Sequence, residues 1–198
     1  MIIRIISLIL LSLIALTGCR KKLIPNTDDF TEYGWTVLEN GNLEDAYNQF
    51  QDALTEDETN PDANNGLAWV FINMNEPDSA LIYFNLGIFY ATPNTAVHQE
   101  LLAGRSFTNH VLGNYSSVIL DGEALYLANA NWGFSRDKTL TIEDIVLLLA
   151  MSQFVSNNFS QSLYWIQIID PIFTASITTA NGIASIATKI ESLQLIYD

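Results

Sequence analysis

The chain has 198 residues, room for one sizeable domain, with 22 acidic residues against 8 basic ones and a net charge of −14. An acidic surface of that kind repels nucleic-acid phosphates, which excludes nucleic acid as a partner. The single cysteine, Cys19, excludes a disulfide framework, so packing must hold the fold.

The first element is residues 1–18. A short lead containing Arg4 precedes an almost unbroken apolar run from Ile5 to Leu16. That pattern reads as a secretory signal rather than as part of the fold. The run is also shorter than the ~20 apolar residues that span a bilayer. Its last residues, Leu16-Thr17-Gly18-Cys19, resemble the lipobox of bacterial lipoproteins. The resemblance implies cleavage before Cys19, thioether attachment of a diacylglycerol to Cys19 and acylation of the new amino terminus. An ordinary secreted protein with one odd thiol, or an uncleaved anchor, are the alternatives. Residues 19–26 would then be a tether, with Arg20-Lys21-Lys22 beside the lipid. From Leu23 onward four basic residues face all 22 acidic ones, a net of −18. Acyl chains, at about 0.8 kcal/mol per buried methylene, must therefore anchor the protein rather than attraction to anionic headgroups. The expected location is the bacterial cell envelope, lipid-anchored and facing the periplasm. The outer membrane is favoured because Arg20, not aspartate, follows Cys19.

Residues 27–170 repeat themselves. Phe30, Tyr33, Gly34, Trp35, Leu38, Gly41, Ala46, Phe50 and Ala53 find counterparts 34 residues on. Those counterparts are Asn64, Leu67, Ala68, Trp69, Ile72, Asn75, Ala80, Phe84 and Gly87. Small residues stand opposite small ones and tryptophan opposite tryptophan. The period and the pattern resemble the tetratricopeptide repeat, a pair of antiparallel helices per unit. The resemblance implies an all-α fold, a right-handed α-solenoid of about four helix pairs plus a C-terminal capping helix. Close approach at Gly34 and Ala46, and at Ala68 and Ala80, leaves space that Phe50 and Phe84 fill. Tyr33, Gly34, Leu67 and Ala68 occupy the core phase. Asn60-Pro61 supplies a capping side chain and a proline at the first helical position.

The echo continues more weakly. Gly113-Asn114-Tyr115 marks a third turn, between helices near 96–110 and 115–130. Asn157-Asn158-Phe159 marks a fourth, between helices near 142–156 and 160–169. Turn spacing lengthens from 34 to 38 to 44 residues, which places extra loop near 92–95 and 131–140. The second loop contains Trp132-Gly133-Phe134, read as an apolar plug on neighbouring helices ahead of a partner contact. Residues 171–198 form the capping region, with an amphipathic helix over Gly182–Tyr197.

Catalytic signatures are missing. No Gly-Lys-Ser/Thr phosphate loop and no Gly-x-Ser-x-Gly elbow occurs. His98 and His110 have no third ligand near them, so neither zinc nor another cofactor is expected. Asp52, Glu56, Asp57 and Glu58 lack the order of a calcium loop and read as a solvated face. The reading is therefore a non-enzymatic scaffold, an unrecognised carboxylate pair being the weakest alternative. The tetratricopeptide resemblance implies that first helices line a concave, partner-binding groove. In phase on these helices stand Trp35, Trp69, Phe107 and Met151. One turn on stand Leu38, Ile72, His110 and Phe154, and near the helix starts Asp28, Asp62, Glu100 and Asp144. An aromatic stripe edged by carboxylates suits an extended or helical protein segment with apolar anchors and some Lys or Arg. The alternative is an envelope lipoprotein that binds carbohydrate or peptidoglycan, stacking sugars on Trp35, Trp69 and Trp132. Some cytosolic tetratricopeptide proteins clamp an acidic carboxyl terminus with groove lysines, and this groove has none.

Overall fold

The computed structural model of the protein describes residues 26–197. The expected signal segment, the expected lipidation at Cys19 and the expected tether up to Pro25 fall on residues 1–25, which lie outside the described residues. Nine helices follow in order: α1 (Thr27–Glu39), α2 (Leu43–Glu56), α3 (Pro61–Asn73), α4 (Pro77–Tyr90), α5 (Ala96–Val111), α6 (Tyr115–Ala128), α7 (Ile142–Val155), α8 (Phe159–Ile169) and α9 (Ala180–Tyr197). They pack as four antiparallel pairs, with α9 against α7 and α8 at the C-terminal end. The expected all-helical solenoid with a closing helix is what the chain forms.

Local chemistry sets the helix ends. Asn26 accepts from the Asp29 amide while the Asp29 carboxylate accepts from the Asn26 amide, both at 3.0 Å, a reciprocal cap on α1. Asn60 accepts from the Ala63 amide at 2.8 Å, and Pro61 opens α3. The four turns within pairs share one geometry. Gly41, Asn75, Gly113 and Asn157 have φ of 78°, 59°, 74° and 62°. Each follows a helix end where paired amides fold back on the last carbonyls, as Gly41 does to Leu38 at 2.8 Å and Asn42 to Val37 at 3.0 Å. Glycine and asparagine are the residues that tolerate this left-handed backbone.

Packing follows from small residues meeting large ones. The Phe50 ring lies between Gly34 and Gly66; a Cβ on Gly34 would come within 2.8 Å of it, and one on Gly66 would overlap it. Phe84 lies against Gly104 in the same way. Tyr33 corrects one expectation, because it is 55% exposed, whereas Gly34, Leu67 and Ala68 are buried. Among the described helices α1 packs on α2 and α3 alone, and the side that carries Tyr33 is left uncovered by them.

Successive first helices touch one another: α1 with α3, α3 with α5, α5 with α7. Successive second helices do not, among the described residues. The first helices therefore form the tight inner layer and the second helices the splayed back.

Candidate partner-binding groove

The inner layer places Trp35, Trp69, Phe107 and Met151 on its successive helices, but the chain covers part of this stripe itself. After α6, residues 129–141 fold into a hairpin-like loop. The Phe134 amide donates to the Leu140 carbonyl and the Ile142 amide to the Trp132 carbonyl, both at 2.9 Å. Phe134 stacks on Trp69 with centroids 4.9 Å apart and meets Trp35 edge-on at 6.0 Å. Trp132 and Phe134 are both buried. The expected apolar plug is present, and it reaches past the neighbouring helices to α1 and α3.

Polar groups pin the loop at its rim. Glu100, at the start of α5, accepts from the Ser135 amide at 3.3 Å and from Asn65 Nδ2 at 3.2 Å. Arg136 forks onto Glu32 of α1 and lies 5.2 Å over the Trp35 ring. Trp35 is only 1% exposed, and its indole N–H donates to Asp62 Oδ1 at 3.0 Å. Burial pushes the Asp62 and Glu100 carboxyls up, against the opposing pull of their hydrogen bonds from Trp35 and Ser135. The Arg136 guanidinium holds Glu32 below the usual carboxylate range, and Glu32 in turn raises Arg136.

These contacts correct the expected site. Trp35 is a core residue rather than an open contact. Of the four rim carboxylates, Asp62 serves Trp35, Glu100 holds the loop, and buried Asp144 caps α7 by accepting from the Thr141 amide at 2.7 Å. Asp28 stays exposed. Phe107, His110, Met151 and Phe154 are half-buried on α5 and α7 and do not join the cleft beside the loop. Burial lowers the His110 imidazole, whose ring meets Tyr115 edge-on at 5.8 Å. With Trp35 and Trp132 buried, the stacking platforms that a glycan reading requires reduce to half-buried Trp69.

What remains open is a cleft of about 420 Å³ at the N-terminal half of the groove. Trp35, Leu38, Trp69, Ile72, Phe134 and Leu140 form its apolar wall, and Glu39, Asn73, Arg136 and Asp137 its polar rim. Leu38 and Ile72 line this cleft. Phe134, Arg136, Asp137 and Leu140 were not among the expected site residues; the unusual Trp-Gly-Phe run was their only sequence signal. Among the described residues no group of three or more His, Cys, Asp or Glu is placed to hold a metal ion.

The architecture and its inner groove define a tetratricopeptide-type α-solenoid. Residues 37–103 match the tetratricopeptide repeat family. No curated protein matches the sequence. Among solved structures, a tetratricopeptide repeat protein from Parabacteroides merdae is similar over 91% of this chain, with 18% identity and a TM-score of 0.59. This chain spans 65% of that protein's length. The first such domain of human RPAP3 is similar over 64% of this chain and 94% of its own, with 15% identity and a TM-score of 0.52. At these identities the likeness concerns the fold.

Proposed function

We propose that the protein is a non-catalytic, lipid-anchored scaffold of the bacterial cell envelope that holds a protein partner in the cleft between α1, α3 and the 129–141 loop. The cleft carries the reading. Its ~420 Å³ volume lies within the range that holds a specific ligand group, here one or two large apolar side chains. Half-buried Trp69 beside Leu38 and Ile72, with Arg136 at the polar rim, has the tryptophan and arginine that binding hot spots favour. Glu39 and Asp137 at that rim, on a strongly acidic chain, suit a segment with Lys or Arg beside its apolar anchor. The lipobox resemblance at Leu16–Cys19 supports the anchor and the envelope address. By analogy of fold and address, an assembly role for outer-membrane proteins, secretins or pili fits such a scaffold.

A photo-crosslinking residue at Ile72 tests the cleft in native envelopes. The expected result is one crosslinked protein, lost when Leu38→Arg is added to a variant whose melting curve is unchanged. Crosslinks to many proteins, unaltered by Leu38→Arg, would show that the cleft is not the site. The anchor has its own test: acyl labelling and membrane fractionation, both expected to vanish with Cys19→Ser.

A further inference from the structure

The back of the solenoid carries an apolar surface that the groove does not use. Asn42, Glu76, Asn114 and Asn158 each precede a second helix. The positions six, ten and thirteen residues beyond them lie in one structural register, on the outside. In α2 these are Asn48, Asp52 and Thr55, all polar and exposed. In α4 they are Ile82, Leu86 and Phe89, exposed at 59%, 39% and 79%. In α6 they are Leu120, Ala124 and Leu127, with Leu127 at 85%. In α8 they are Tyr164 and Ile168, followed beyond the helix by Pro171 and by Ile172 at 90%.

A register that is polar in the first repeat and apolar in the next three is only partly explained by folding: Tyr164 meets the buried Trp165 ring at 5.0 Å, but Phe89, Leu127 and Ile172 are mostly exposed. The three helices hold only three charged residues, Asp78, Asp121 and Glu123, in a chain of net charge −14. Arg105 neutralises Asp121 through two contacts of 2.7 Å. Exposed apolar side chains in one register on three helices, interrupted between α4 and α6 by the polar cleft around Arg105 and Asp121, mark a surface that meets a protein or a membrane.

The start of the described chain decides between them. Because each pair is antiparallel, the C-terminal ends of α4, α6 and α8 lie at the same end of the array as the N-terminus of α1. Phe89, Leu127 and Ile172 sit at that end. Tyr197 of α9 is there too, sharing a cleft with Ile142 and Ile168. The exposed Leu195 and Ile196 precede it. Asn26, where the described chain begins, emerges at this end. Cys19 lies seven residues before Asn26, and the apolar run Ile5–Leu16 before that. Seven residues reach at most about 25 Å, so whatever holds Cys19 stays within that distance of Asn26, on this edge of the array.

We propose that the outer face of α4, α6 and α8 is a lipid-contacting surface that lies on the bilayer in which the N-terminus is anchored. The proposal rests on the anchoring reading above. Among the described residues no helix is long and apolar enough to cross a membrane, so the contact is peripheral. Tyr90 and Tyr164 are of the kind that settles at headgroup level, and Phe89 is of the kind that lies deeper on the apolar side. The net charge excludes attraction to anionic lipid, so the matching surface is zwitterionic.

The test uses the acylated chain produced from the full sequence. Acylation consumes Cys19, so Leu127→Cys introduces a unique thiol for a polarity-sensitive fluorophore. Asn48→Cys, in the same register of α2, is the comparison. Both substitutions fall on exposed positions and leave the core intact. With phosphatidylcholine vesicles, the label at 127 is expected to shift to the blue and to be quenched by nitroxide-bearing lipid, while the label at 48 stays unchanged. Co-flotation with vesicles without a response at 127 overturns the lipid face and leaves the anchor standing. Failure of the acylated protein to float overturns both. A blue shift at 127 without vesicles, accompanied by a dimer in sedimentation that Leu127→Asp abolishes, overturns the lipid face in favour of a second copy of the chain.

Discussion

Arg136 donates to both carboxylate oxygens of Glu32, at 3.2 and 2.9 Å, across 104 residues of chain. This pair joins the loop between the third and fourth helix pairs to the first helix of the array. The same guanidinium covers Trp35. A solenoid ordinarily links each repeat only to its neighbours; here the loop also ties the first repeat to the region before the fourth.

Removing that tie should loosen the loop more than it destabilises the fold. Glu32 is largely exposed, so the ion pair is worth under about 1 kcal/mol, and the stacked cation on Trp35 adds a similar amount. Arg136→Ala should therefore lower the melting temperature by only a few degrees while the Phe134 amide, bonded to Leu140, exchanges much faster with solvent. Unchanged exchange would show that Phe134 alone holds the loop.

Phe134→Ala should be the more severe change. Phe134 is buried against Trp69, Trp35 and Trp132, and removing such a ring costs about 3–5 kcal/mol. Trp69 loses its stacked cover, so tryptophan emission should move to the red and become easier to quench with acrylamide. An unaltered spectrum would contradict the plugged groove.

Much of the scaffold was legible in the sequence, because it is built from local and repeated chemistry. The left-handed turn residues Gly41, Asn75, Gly113 and Asn157 stand at the turns the spacing marked, and glycine or asparagine there reflects one backbone requirement. Likewise, Phe50 beside Gly34 is a contact within one helix pair. The groove was legible only in part. Periodicity aligns Trp35 with Trp69, but the loop that covers them has no periodic signal and its main anchor is far away in sequence. The burial of Trp35 also depends on Asp62, which the helix-start pattern placed in the groove rim without revealing the indole it serves. Tyr33 shares the repeat phase of Leu67 yet stays exposed, since among the described residues α1 has no helix before it as α3 has.

The buried carboxyls give the protein a signed response to pH. Asp62 and Glu100 are raised by burial, so over a window beginning at the ordinary carboxylate range and extending upward the folded chain holds protons that the unfolded chain releases. Their contribution is complete below the unfolded values and is lost as pH rises through the raised ones. Glu32 acts oppositely: its stabilisation is present above the ordinary value and is lost as pH falls through the lowered one. Because Glu32 is mostly exposed, the two buried groups dominate. Burial lowers the His98 and His110 imidazoles, whose contribution falls as pH drops through the same range, so the carboxyl contribution is read as a difference between variants rather than from the wild-type slope. Relative to wild type, Glu100→Gln should forfeit part of the stability gained as pH falls from about 7 to about 5, whereas Glu58→Gln, the same charge change at an exposed site, should keep nearly the wild-type pH slope. Equal slopes in the two variants would count against the buried-carboxyl account.

The Phe50 ring is fully buried between Gly34 and Gly66, which makes it sensitive to a single methyl group. A Cβ on Gly66 overlaps the ring, and the side chain has no open space into which to retreat. Gly66→Ala should cost about 1–3 kcal/mol by overpacking, although alanine is the better helix former. Gly133→Ala is the contrast. Its new Cβ would have Leu140 O at 3.8 Å as its nearest neighbour, and its backbone needs no left-handed conformation, so the change should be close to neutral. Phe50→Leu removes the obstructing ring edge and leaves space beside position 66. Combined with Gly66→Ala it should be less destabilising than the sum of the two single changes, a non-additivity that a double-mutant cycle in urea measures directly. Strict additivity would mean that the ring and the glycine do not share the space the structure gives them.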